Sequence, residues 1–60
     1  MKKYNLFLDG TRYKSVECPA DNIRMIKEVM AFFANKGIQV LPLKAKINKE
    51  STTLYFETVK

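Results

Sequence analysis

CPADNIRMIKEVMAFFANKG, residues 18–37, carries the start, the body and the end of a single helix. Cys18-Pro19-Ala20-Asp21 supplies a proline suited to a first helical position and an acid for the positive end of the helix dipole. Lys36-Gly37 supplies a cation near the negative end and a residue free to take the left-handed conformation just past it, with Ile38 following. At about 100° per residue, Met25, Val29, Phe32, Phe33, Ile26, Met30, Ile23 and Ala34 share one arc, and Lys27, Arg24, Glu28 and Asn35 lie opposite. This pattern predicts a helix over 20–36. The apolar arc is broader than one packing surface requires. Either the helix is embedded deeply in a small core, or Met25 and Phe32 at one edge meet a second subunit.

Working outward, residues 2–8 and 11–17 flank Asp9-Gly10, a strong signal for a tight hairpin. Residues 38–47 and 52–59 flank the polar turn Asn48-Lys49-Glu50-Ser51. The expected architecture is α+β in the order ββαββ, a single domain over 1–60: a four-stranded antiparallel sheet of two hairpins with one helix packed on one face. In the second hairpin, pairing Ile47 with Thr52 sets Ala45 against Leu54, Leu43 against Phe56 and Leu41 against Thr58. That register puts the apolar set on the helix side and Val40, Pro42, Lys44, Lys46, Thr53, Tyr55, Glu57 and Val59 on the outer side. Pro42 cannot donate to a ladder, which implies an edge strand or a bulge. In the first hairpin Tyr4, Leu6, Leu8 and Tyr13 face the helix, and Lys3, Asn5, Phe7, Arg12 and Lys14 face outward. Val16 and Cys18 then need a bulge near Ser15 or Val16 to reach the core.

The chain has 60 residues, 47% hydrophobic and 28% charged, a composition that excludes disorder and low-complexity structure. No apolar run nears the ~20 residues of a membrane span, and the basic Met1-Lys2-Lys3 start lacks a signal-peptide apolar region, so a cytoplasmic protein with no membrane partner is expected. With one cysteine, Cys18, and no histidine, neither an intrachain disulfide nor the usual zinc ligand sets are possible. A domain this small then depends on packing quality or on self-association, which raises the homodimer as a candidate.

The same inventory argues against catalysis. The commonest general base is missing. Asp9, Glu17, Asp21, Glu28, Glu50 and Glu57 are scattered, and no spacing pairs them over a substrate or a divalent ion. Gly10 and Gly37 are too far apart for a phosphate loop. Cys18 has no histidine partner, so a structural thiol is the expectation. The reading is non-enzymatic, with no catalytic residues, no metal, no cofactor and no small-molecule substrate.

Eleven basic residues against six acidic give a net charge of +5. On the outer face of the expected sheet, Lys3, Arg12, Lys14, Lys44 and Lys46 stand beside the rings of Phe7 and Tyr55. Cations track phosphates and exposed rings stack on bases, so these seven residues form the candidate site for DNA or RNA. Lysines on an outer strand face also discourage aggregation, and aromatic residues are ordinary strand formers, so the pattern is not specific to that role. The cations are almost all lysine, which suits point contacts with phosphate better than bidentate reading of bases. Neither Tyr4-Asn5-Leu6-Phe7-Leu8 nor Leu54-Tyr55-Phe56-Glu57 carries the Gly-aromatic signature of RNA-recognition sheets, and one helix cannot make a helix-turn-helix. The alternative is an accessory protein-interaction module or homodimeric modulator of a larger partner, contacting it through a strand edge or through Met25 and Phe32. A short, lysine-rich, arginine-poor chain fits such a product of a low-GC bacterium or phage.

Overall fold

A computed structural model describes residues 1–59. Strand β1 (Lys2–Leu8), strand β2 (Thr11–Cys18), helix α1 (Asn22–Ala34), strand β3 (Val40–Ile47) and strand β4 (Thr52–Thr58) follow one another along the chain. The four strands form one sheet in the order β2-β1-β4-β3. Each hairpin is antiparallel, but the central pair, β1 and β4, is parallel, so the sheet is mixed rather than wholly antiparallel. The helix dictates this. Thirteen residues rising ~1.5 Å each cover about 20 Å, close to the length of one strand. The chain therefore leaves the bottom of β2, climbs beside the sheet and starts β3 at the top. β2 and β3 run the same way, and their hairpin partners, brought together at the centre, must do so too.

Asp9 (φ 52) and Gly10 (φ 82) are both left-handed, the backbone of the tight turn whose twist matches the flanking strands. Asp9 also ties the two hairpins together. Its backbone N–H donates to the Phe56 carbonyl (3.0 Å), and its carboxylate accepts from the Thr58 backbone N–H (2.8 Å) and hydroxyl (2.6 Å).

The helix is shorter than its sequence pattern predicts. Asp21, not Pro19, marks its start, because the Asp21 carboxylate accepts the Arg24 backbone N–H at 2.8 Å and satisfies a donor the first turn leaves open. Pro19 lies ahead of the cap. At the other end Gly37 is left-handed (φ 80), and the Ile38 and Gly37 N–H groups donate back to Phe33 and Ala34. This is the ending that Lys36-Gly37-Ile38 suggests.

Both edge strands contain a bulge. In β2 the extra residue is Tyr13, opposite Leu6, two residues before the expected position. In β3 it is Leu43, beside Pro42, whose missing N–H weakens the ladder there. The second bulge reverses the alternation upstream: Val40 pairs with Thr58 and is buried, whereas Leu41 pairs with Glu57 and is exposed. Val40 and Pro42 thus leave the outer face to which the unbroken register assigns them. The core consists of Tyr4, Leu6, Met25, Val29, Phe33, Val40, Leu54 and Phe56. Met25, read from the sequence as an edge residue, belongs to it, with its sulfur 3.6 Å from the Cys18 thiol. Tyr4, at 0% exposure, donates its hydroxyl to the Ala20 carbonyl at 2.7 Å, with Asn22 Oδ1 at 3.1 Å. Burial pushes this phenol above its ordinary 10.0, and Cys18 and Asp21 add to the shift as negative charges.

Candidate nucleic-acid interface

The face of the sheet opposite the helix takes its side chains from alternate strand positions. On β1 these are Lys3, Asn5 and Phe7; on β4 they are Thr53, Tyr55 and Glu57. Parallel pairing sets Phe7 beside Tyr55 across the centre of the sheet. Their ring centroids are 5.0 Å apart and the planes are tilted by 35°. Arg12 is the β2 partner of Phe7, and Lys44 the β3 partner of Tyr55. One row across all four strands therefore reads Arg12–Phe7–Tyr55–Lys44, two rings between two cations. Three strand spacings of ~4.8 Å separate its ends by about 14 Å. The Lys44 ammonium sits 4.9 Å from the Tyr55 centroid, close enough for attraction to the ring face.

The next row is polar: Ser15–Asn5–Thr53–Lys46. The Ser15 hydroxyl donates to Asn5 Oδ1 at 2.8 Å, and the Asn5 amide reaches the Ser51 hydroxyl at 3.5 Å. Arg12 Nη2 donates to the Ser15 oxygen at 2.5 Å, which anchors the guanidinium to this network. Phe7 and Tyr55 are half-buried.

Of the seven residues the sequence nominates, six share this face: Lys3, Phe7, Arg12, Lys44, Lys46 and Tyr55. Lys14 does not. The bulge at Tyr13 turns Lys14 to the helix side, where its ammonium lies 5.2 Å from the Phe32 centroid and 5.8 Å from that of Tyr13. The same shift brings Glu17 outward, directly opposite Lys3. The face therefore carries Lys3, Arg12, Lys44 and Lys46 against Glu17 and Glu57, less positive than the straight register implies. Its cations concentrate in the two rows around the aromatic pair. The sequence reading places Asn5 on this surface but misses Ser15 and Glu17, because their side depends on where the bulge falls.

Among the described residues no three His, Cys, Asp or Glu side chains cluster to hold a metal ion, and no helix is long and apolar enough to cross a membrane. Compared with known protein families, curated proteins and solved structures, the chain matches none.

Proposed function

We propose that the outer sheet face binds single-stranded nucleic acid, with Arg12, Lys44 and Lys46 contacting phosphates and Phe7 and Tyr55 stacking against bases. The Arg12–Phe7–Tyr55–Lys44 row carries this reading: it sets cations on either side of a ring pair on one accessible surface. Rings lying on a sheet meet base faces only where those faces are unstacked, which favours a single strand over a duplex. Lysine supplies charge without a fixed hydrogen-bonding fork, so binding is dominated by the backbone and weakly selective for sequence. Lys3 contributes little, because Glu17 stands beside it.

The test is a fluorescence titration of a labelled single-stranded oligonucleotide of about a dozen nucleotides at low salt. The native protein binds in the micromolar range. Tyr55→Ala weakens binding by about 1–3 kcal/mol, the usual worth of one stacked base. Lys44→Glu with Lys46→Glu abolishes it. No binding by the native protein at micromolar concentration, or unchanged binding by the double variant, would overturn the assignment.

A further inference from the structure

On the opposite side of the molecule, a groove of about 180 Å³ opens between β2 and α1. Leu6 and Val29 form its floor, and Tyr13, Phe32 and Phe33 its walls. Phe32 is 40% exposed although it stands on the apolar arc of the helix. Its ring meets Phe33 edge-on at 5.4 Å and 81°, and Tyr13 meets Phe33 at 5.2 Å and 57°. Two ammonium groups lie over the Phe32 ring, Lys14 at 5.2 Å and Lys36 at 4.9 Å from its centroid. The carboxylate on the rim, Glu28, is engaged by Arg24 at 3.5 Å. The groove is thus aromatic within, with Lys14 in its lining and Lys36 beside its Phe32 wall.

We infer that this groove receives an aromatic side chain from a segment of another protein, flanked in that segment by acidic residues. Volume selects a side chain over a free ligand, since small-molecule sites usually span about 300–1,000 Å³. Three rings presenting edges and faces favour an aromatic guest. Lys14 and Lys36 favour carboxylates beside it. The bulge in β2 gives an independent reason: it turns two consecutive residues, Tyr13 and Lys14, toward the helix and so builds both a wall and the charge of the site, at the cost of regular pairing. A second copy of the chain is a poor occupant. Its own exposed rings, Tyr13 and Phe32, are flanked in the chain by Arg12 and Lys14 and by Ala31 and Phe33, and the acid one helical turn from Phe32, Glu28, is engaged by Arg24.

The experiment titrates the full chain into a short fluorescein-labelled peptide with a single phenylalanine among aspartates and glutamates. Two control peptides replace the phenylalanine by alanine or the acids by lysine. The acidic phenylalanine peptide binds, and each control binds at least about tenfold more weakly. Phe32→Ser and Lys14→Glu each lower affinity for the first peptide about tenfold or more. Tyr55→Ala with Lys44→Gln, on the far face, leaves it unchanged, which separates this site from the nucleic-acid surface. Circular dichroism checks each fold, and Lys14→Glu, a change at an exposed side chain, decides the matter should Phe32→Ser unfold. No binding at millimolar protein, equal binding of the phenylalanine and alanine peptides, or an unaffected Lys14→Glu protein would overturn the inference.

Discussion

Salt dependence gives the sharpest test of the outer face, because its magnitude follows from how many cations the sheet sets around the rings. Arg12, Lys44 and Lys46 lie in the two central rows, whereas Lys3 is offset by Glu17. Each neutralised phosphate on a single strand contributes about −0.7 to the slope of log K against log salt, so three contacts give roughly −2.1. Raising salt from about 50 to 200 mM then weakens binding roughly twentyfold. Lys44→Gln with Lys46→Gln leaves only Arg12, and the slope falls to about −0.7, a loss of only two- to threefold over the same range. Both lysines are exposed on an edge strand, so the substitutions leave the core untouched. Fluorescence anisotropy across a salt series measures both slopes. Equal slopes for the two proteins would refute the assignment of phosphate contacts to these residues, even if both bind.

Four predictions concern the fold that presents the two surfaces. Tyr4→Phe removes the hydroxyl that satisfies the Ala20 carbonyl and costs about 1–2 kcal/mol, seen as a melting point lowered by roughly 5–15 °C. Tyr4 also makes stability depend on alkaline pH. Its folded pKa lies above 10.0, so stability is intact below that value and declines as pH rises from there through the folded pKa. Urea midpoints across that window fall in the native protein and flatten in Tyr4→Phe; parallel curves count against the buried phenol. Val40→Ala costs about 2 kcal/mol and Leu41→Ala less than about 0.5 kcal/mol in urea denaturation, the reverse of what an unbulged β3 requires. Asp9→Ala costs about 2 kcal/mol, through left-handed strain and the loss of both bonds to Thr58, and Asp9→Asn, which tolerates that backbone, costs less.

The elements were legible because each has a local cause. Asp9-Gly10 forces a turn, Gly37 permits a helix ending, and Met25, Val29 and Phe33 recur at helical spacing. The parallel centre was also accessible in principle: a helix as long as a strand returns the chain to the far end of the sheet. The bulges were harder to locate. Pro42 signalled one, but at positions 40 and 41 valine and leucine are equally apolar, so alternation alone could not choose which turns inward. In β2, a bulge at Tyr13 and one near Ser15 both carry Val16 and Cys18 to the core. They differ in the side given to Lys14. That single ambiguity moved one cation from the outer face to the groove beside Phe32, and left Glu17 off the surface it joins.

The parallel pairing of β1 with β4 has a consequence for the order of events on the ribosome. Every strand pair except this one can form within a local hairpin, yet Tyr4 and Leu6 gain their neighbours Leu54 and Phe56 only through it. Until residues 52–58 have emerged, the first hairpin and α1 form a half-molecule with one side of β1 unpaired. Completion of the sheet is therefore a long-range closure that must wait for β4, and slow elongation before β4 emerges leaves a sticky strand edge open to other chains.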